Sequence, residues 1–200
     1  MKKLIGSTAV LALTLALALP VLAQDKSMGK MEPKKAEAKA APAAASGAKA
    51  DVLRSLEDAQ KKLVSLAEAM PAEKYTWRPG EGVRSVGEVF NHVAGANYFI
   101  PTLMGVKMPA GVDPRTFDKE SGDKAKTIET LKKSFDHARS AIEGLPDGEM
   151  GKTVKIFDHD GTYREVVLIV LTHAHEHLGQ AIAYARVNGV VPPWSQKGGM

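Results

Sequence analysis

Three of the six histidines of this 200-residue chain lie in the run HAHEH, residues 173–177. On an α-helix, residues four apart differ by about 40° in direction, so His173 and His177 share one face. His175 differs from His173 by about 160°, and it faces either solvent or a second copy of the chain in a homodimer. Two imidazoles one turn apart can bind one divalent metal ion, but a stable site needs a third ligand.

His92 is the best third ligand that the sequence offers. Apolar residues at three- and four-residue spacing accompany His92, His173 and His177, which predicts that all three rings point into the core. Three neutral imidazoles leave a coordination position open for water or substrate, as in catalytic metal sites. The alternative is that these core histidines only bond backbone carbonyl groups. The zinc-protease motif HExxH is absent, so that class is excluded.

Two further polar residues lie one helical turn from these histidines. Gln180 follows His177, and we expect it either to hydrogen-bond a ligand of the site or to tie two helices together. Glu88 precedes His92, where it could act as a base or fourth ligand. Its spacing from Ser85 also matches a capping box, in which hydroxyl and carboxylate satisfy amide donors at the start of a helix. The capping role explains Glu88 more simply.

Other chemically capable residues carry weaker predictions. Trp77 and Arg78 precede a Pro-Gly loop, where they either line the mouth of a pocket or anchor the loop by packing. We expect His137, between Asp136 and Ala138, to be solvated. We expect His159 to lie in a loop.

Four stretches with helical periodicity must position these residues. They span residues 52–70, 85–104, 124–144 and 162–188, and the second and fourth begin with the capping-box pairs Ser85/Glu88 and Thr162/Glu165. Residues 153–157 alternate with apolar side chains, and Asp160-Gly161 indicates a turn, which predicts a short hairpin or extended loop before the last helix. Four amphipathic helices of this size predict an all-α fold, a four-helix bundle.

The first 50 residues do not resemble part of a fold. Residues 1–23 combine a positive start, an apolar run and a small-residue exit, as a secretory signal peptide does, although the run is nearly long enough for an uncleaved membrane anchor. Residues 24–50 are rich in Ala, Lys and Pro, which predicts a disordered linker. The chain is therefore expected to be exported, periplasmic or secreted, with no stable membrane anchor after cleavage and one folded domain over residues 51–200.

The net charge and the absence of cysteine exclude several functions. Residues 51–200 carry 19 basic and 20 acidic side chains, since eight of the 27 basic and three of the 23 acidic residues lie before them. A nearly neutral domain lacks the basic patch that nucleic-acid binding needs. With no cysteine, the chain forms no disulfide framework and carries no lipid-anchoring cysteine.

Three motifs in order give the domain a family resemblance. They are WRPGEGVRSV at 77–86, NHV at 91–93 and HAHEHLGQ at 173–180, followed by ARVNGVVPP at 185–193. With them the chain resembles the DinB-like family of four-helix-bundle metalloenzymes over residues 51–200. The resemblance implies a divalent metal, most often zinc or nickel, held by His92, His173 and His177. It departs at Leu178, where the family often has arginine.

The function that follows is less specific than the site. We expect a metal-dependent hydrolase or transferase that activates water or a thiol and acts on a small-molecule substrate. Relatives of this fold include thiol-dependent transferases, which makes S-transfer one form of this hypothesis. The alternatives are a non-catalytic protein that binds a metal or small ligand, and an interaction module that uses the bundle surface.

Overall fold

The structure is a computed structural model that describes residues 47–196, with backbone alone for residues 118–120. The described part holds four α-helices: α1 (Ala48–Ala69), α2 (Val86–Phe99), α3 (Lys124–Glu143) and α4 (Tyr163–Val187). A hairpin of β1 (Thr153–Ile156) and β2 (His159–Thr162) precedes α4. The predicted signal peptide and residues 24–46 of the predicted linker lie outside the described residues. Helix α1 begins three residues before the predicted domain start.

The four helices pack as a bundle in which α1 and α2 each contact both α3 and α4. The apolar faces predicted from periodicity are buried, and their large side chains supply about 1.5–3 kcal/mol each on burial. Fully buried examples are Leu56, Leu63, Leu66, Val89, Phe90, Val93, Leu131, Phe135 and Ile142. No helix among residues 47–196 is both long enough and apolar enough to traverse a bilayer.

Helix α2 begins and ends for reasons visible in the sequence. Ser85 Oγ accepts from Glu88 N at 3.3 Å, and Glu88 Oε2 accepts from Ser85 N at 2.6 Å, so the predicted capping box is complete. The helix ends at Phe99 rather than near Met104, and a 3-10 segment follows over Ile100–Met104. Pro101 has no amide hydrogen to continue the α-helical bonding pattern.

The second predicted capping box is only half formed. Thr162 Oγ1 accepts from Glu165 N at 3.4 Å at the start of α4. The carboxylate of Glu165 instead lies 2.8 Å from His159 Nε2 on β2. His159 was predicted to lie in a loop, but it lies on β2. This strand position places its imidazole against the first turn of α4, where Glu165 lies.

The hairpin turns at Phe157 and Asp158, not at Asp160-Gly161 as the sequence suggested. Ile156 is fully buried, and that burial fixes which residues pair. Gly161 lies within β2, where an added Cβ would come within 2.5 Å of the Ile156 side chain. This glycine therefore permits close packing and does not form the turn.

A second glycine brings a loop against the helix that carries His92. A Cβ on Gly87 would lie 1.8 Å from the backbone oxygen of Ser121. Only glycine therefore lets Ser121 lie against α2, which the preceding 3-10 helix Pro114–Glu120 also contacts. The amide of Gly87 also donates to the carbonyl of Tyr75 at 2.9 Å, which fixes the preceding loop.

Candidate metal centre

Helices α2 and α4 bring the three predicted histidines together. His92 lies in the middle of α2, while His173 and His177 lie one turn apart in the middle of α4. The Nε2 atoms of His92 and His173 are 3.2 Å apart. The ring centroids of the three histidines lie 4.5–4.9 Å from one another. Among the described residues this is the one group of three or more metal-binding side chains whose ligand atoms lie within 4.8 Å of one another.

A short chain of hydrogen bonds orients the ring of His177. Its Nδ1 lies 2.8 Å from Gln180 Oε1, and Gln180 Nε2 donates to the hydroxyl of Tyr184 at 3.0 Å. Because the amide oxygen can only accept, the neutral ring of His177 carries its proton on Nδ1 and its lone pair on Nε2. Gln180 therefore contacts one of the three histidines from the next turn of the same helix.

The ring of His173 is held neutral. Burial, reinforced by the neighbouring His177 and His92, lowers the pKa of His173 to about 4. Its Nδ1 is buried with no hydrogen-bond partner among the described residues. A neutral imidazole has a lone pair on one of its two nitrogens. Since the described residues show the nitrogens of His173 in contact with no polar group other than another imidazole, this lone pair is available to an ion.

The donor set fits a divalent transition metal. Nitrogen atoms bound at 2.0–2.1 Å in tetrahedral geometry lie about 3.3 Å apart, close to the separation of His92 and His173 Nε2. Three imidazoles without a carboxylate or thiolate suit zinc, nickel or copper better than magnesium or calcium. Three protein ligands also leave a coordination position open for a small molecule.

Glu88 does not join this group. Its carboxylate accepts from the backbone of Ser85 and pairs with Arg78 Nη2 at 3.0 Å. Burial alone would raise the pKa of Glu88, but the hydrogen bonds from Ser85 and Arg78 outweigh it and lower the pKa below its usual value. Glu88 is therefore ionised and engaged in the helix cap.

Trp77 and Arg78 anchor the loop before α2. The Trp77 ring contacts the Tyr184 ring edge-on, with centroids 5.5 Å apart. Arg78 donates to the backbone oxygen of Val83 at 2.9 Å in addition to its pair with Glu88. Of the two roles predicted for Trp77 and Arg78, the structure supports the packed anchor of the loop. The contact of Trp77 with Tyr184 places this loop beside the hydrogen-bond chain from Tyr184 through Gln180 to His177.

The remaining histidines lie apart from the three. His175 is exposed, as predicted, and its Nδ1 donates to the carbonyl of Leu171 at 3.0 Å. The prediction that His137 is solvated was wrong. Its ring packs against Tyr98 with centroids 5.2 Å apart, and its Nε2 is buried without a partner among the described residues. This desolvation lowers the pKa of His137.

A pocket of about 840 Å³, which sequence reasoning did not predict, opens beside the three histidines. His92 and His173 form part of its wall. The rest comes from α2, the loop after the 3-10 segment, the hairpin tip and α4. Its apolar lining includes Phe99, Ile100, Met108, Val112, Phe157 and Ile169. The one sequence signal was Phe157, a large aromatic residue between Ile156 and the polar Asp158.

Solved structures of similar fold include three proteins from two Bacillus species. A DinB-like protein from Bacillus cereus is 16% identical with a TM-score of 0.60, and the match covers 71% of this chain and 93% of that one. A DinB-like protein from Bacillus subtilis, YjoA, is 14% identical with a TM-score of 0.56, covering 70% and 94%. YfiT from Bacillus subtilis, described as a probable metal-dependent hydrolase with an unusual four-helix bundle topology, is 17% identical with a TM-score of 0.58, covering 76% and 94%.

At these identities the likeness establishes the fold alone. No curated protein matches the chain in sequence. The family model of the DinB superfamily matches residues 55–181, which is more than half of the chain and includes all three clustered histidines. The resemblance carried by the sequence motifs is thereby confirmed, and the chain belongs to the DinB superfamily.

Proposed function

We propose that this protein is an exported, metal-dependent hydrolase or transferase. His92, His173 and His177 would hold one divalent ion, zinc or nickel. The observation that carries the proposal is the convergence of three imidazoles from two helices, with facing Nε2 atoms 3.2 Å apart. Such a bound ion acts as a Lewis acid and lowers the pKa of a water or thiol in its open position.

The chain's own residues have distinct roles in this proposal. The bond from His177 to Gln180 fixes which nitrogen of that ring can bind an ion. The low pKa of His173 keeps its lone pair available at neutral pH. The adjacent pocket supplies a place where a small-molecule substrate can lie against His92 and His173.

Hydrolysis is favoured over thiol transfer. The description of YfiT as a probable metal-dependent hydrolase points to it, since that protein shares this fold. The proposed export also separates the chain from the low-molecular-weight thiols of the cytosol.

A non-catalytic metal or ligand carrier is the second candidate. The observation that favours it is the engagement of Glu88, the carboxylate that could have served as a base, with Ser85 and Arg78. No carboxylate belongs to the histidine group within residues 47–196. A carrier needs only the ligands and the pocket.

Metal content tests the site directly. The purified chain, loaded with Zn²⁺ or Ni²⁺ and desalted, should retain about one ion per molecule by elemental analysis. His92→Ala and His173→Ala should lose most of it, because two imidazoles bind weakly. His175→Ala is the matched control, since it removes an exposed imidazole from the same helix, and its content should stay unchanged. Equal losses in all three variants would refute the site.

Activity then separates enzyme from carrier. Metal-loaded protein should be assayed with ester, amide and thiol-transfer substrates, alongside His173→Ala and His175→Ala. Turnover that disappears in His173→Ala and persists in His175→Ala supports the enzyme. Turnover of equal rate in both variants would overturn the proposal that these histidines carry the reaction.

A further inference from the structure

The pocket beside the three histidines has a chemical character that specifies what it can bind. We propose that it binds an uncharged, largely apolar organic molecule, the substrate of the three-histidine centre. That the bound molecule is a substrate rests on the proposed function. The pocket's binding preference can be measured without any reaction.

The lining is apolar where a ligand would lie deepest. Ile100 of the 3-10 segment is buried, Ile169 of α4 is half-buried, and Val112 approaches from the loop between α2 and α3. Apolar walls of this kind hold a ligand by removing its apolar surface from water. The volume of about 840 Å³ accommodates a ring system with substituents and exceeds what a single water or metal-bound anion requires.

The charged lining residues in the described part neutralise each other. Arg115 donates through Nε and Nη2 to the two carboxylate oxygens of Asp113, at 2.8 and 2.9 Å. This bidentate pair leaves no excess charge to attract an ionic ligand. The other polar lining groups are the imidazoles of His173 and His92 and the amide of Asn91, whose Oδ1 is buried without a hydrogen-bond partner in the described part. In the metal-free chain a charged ligand would lose its hydration without compensation.

The lip of the pocket is formed by an aromatic residue in an unfavourable conformation. Phe157 at the hairpin tip has φ 50°, the only positive φ at a non-glycine residue in the described part. Its side chain is also 62% exposed, and it stacks on the 44%-exposed Phe99 with ring centroids 6.4 Å apart. Glycine or asparagine would suit this turn better. A large aromatic ring is disfavoured at this position both by the positive φ and by the solvent exposure. Its presence there indicates a binding role at the pocket entrance.

The position of the pocket connects binding with the metal centre. His92 and His173 belong to its wall, whereas His177 does not. A molecule in the pocket therefore meets two of the three imidazoles directly. The reactive group of such a molecule would lie at the inner end, and its apolar body would extend towards Phe99 and Phe157.

A pair of fluorescent probes tests the preference. N-phenyl-1-naphthylamine is uncharged, and 8-anilinonaphthalene-1-sulfonate has the same rings with a sulfonate. Fluorescence titration of the metal-free full chain should show one saturable site for the uncharged probe and at least about tenfold weaker binding of the sulfonate. Equal affinity for the two probes, or no saturable binding of the amine, would overturn the inference.

Two variants with matched controls place the probe in this pocket. Ile169→Asp should weaken binding of the amine by about tenfold or more, because it puts a charge in the wall. Leu168→Asp, its exposed neighbour outside the wall, should bind within about twofold of the unchanged chain. An equal effect of the two substitutions would overturn the assignment.

Phe157→Gly gives two readouts of opposite sign. It should raise the thermal midpoint by relieving the positive φ, and it should weaken probe binding by about tenfold by removing the ring. Asp158→Gly, at the neighbouring turn position without a positive φ, should do neither. Unchanged probe binding in Phe157→Gly would refute the binding role inferred for Phe157 at the pocket entrance.

Metal content, measured on the same preparations after loading with Zn²⁺, separates this inference from the proposed function. Probe binding with no retained metal would refute the metal centre and leave the pocket preference standing. Retained metal without probe binding would refute the pocket preference alone. Probe affinity that falls as protein concentration rises would assign the pocket to contact with a second copy of the chain, which also overturns the inference.

Discussion

Replacing Gln180 by leucine removes one hydrogen bond to a histidine of the metal centre and keeps a side chain of similar size. Gln180 Oε1 accepts from His177 Nδ1 at 2.8 Å, and Gln180 Nε2 donates to the Tyr184 hydroxyl at 3.0 Å. The first bond strengthens when an ion on the opposite nitrogen draws charge from the ring. Gln180→Leu should therefore weaken metal binding more than it destabilises the fold.

The expected magnitudes differ enough to be resolved. Loss of a hydrogen-bond partner behind a metal-bound histidine lowers metal affinity by about 10–100-fold, equivalent to about 1.4–2.7 kcal/mol. In the metal-free chain the same bond joins neutral groups, and its loss should lower the free energy of unfolding by about 1 kcal/mol. Gln180→Glu should act in the opposite direction on affinity, because a carboxylate accepts more strongly from the imidazole.

Competition with a chromophoric chelator gives the Zn²⁺ dissociation constant, and urea unfolding of metal-free protein gives the stability. Tyr184→Phe is the control, since it keeps the bond between Gln180 and His177 and removes only the hydroxyl beyond it. Its Zn²⁺ affinity should fall by less than about threefold. A Gln180→Leu protein that binds one Zn²⁺ with the unchanged constant would refute the role assigned to this hydrogen bond.

The further predictions concern stability. Because burial lowers the pKa of His173 to about 4, the unfolded chain binds more protons than the folded chain below pH 6.5. The urea midpoint of metal-free protein should therefore fall as the pH is lowered from 6.5 to about 4. The fall should be smaller in His173→Gln, which lacks the imidazole. Gly87→Ala should cost about 2 kcal/mol or more in urea unfolding, since its Cβ would overlap a backbone oxygen. Gly179→Ala, in open space on α4, should instead gain about 1 kcal/mol. Tyr75→Phe should cost about 1 kcal/mol by thermal unfolding, because the buried hydroxyl donates to the Ala67 carbonyl near the end of α1.

Each of these has a result that contradicts it. An identical pH dependence in His173→Gln would show that other groups cause the acid destabilisation. A Gly87→Ala protein as stable as Gly179→Ala would mean that the loop can move away from α2 at little cost. An unchanged melting temperature in Tyr75→Phe would show that water replaces the lost donor.

The helices could be predicted because their signals are local. Periodic apolar residues and the Ser85/Glu88 box act within a few residues of each other, and the structure places α3 and α4 within one residue of the predicted bounds. The orientation of His173 and His177 follows from the same periodicity. To predict the contact with His92, it was also necessary that α2 and α4 pack together. The inward-facing apolar side of each helix indicated this packing.

Features that depend on distant segments could not be predicted in this way. The pocket wall combines α2, the loop at residues 108–115, the hairpin tip and α4, and no single stretch carries a pattern for it. The burial of Ile156 overrode the turn preference of Asp160-Gly161, because tertiary packing outweighs local propensity. His137 was misjudged for the same reason, since Tyr98 on another helix covers it.

The facing rings of His92 and His173 join two positions 81 residues apart in the chain. An ion shared by them would cross-link the folded bundle, and the unfolded chain could not reproduce that cross-link without closing a long loop. At a free metal concentration about 100 times the dissociation constant, the bundle would gain about 2.7 kcal/mol. The lifetime of the folded protein would then rise and fall with the metal supply of its surroundings.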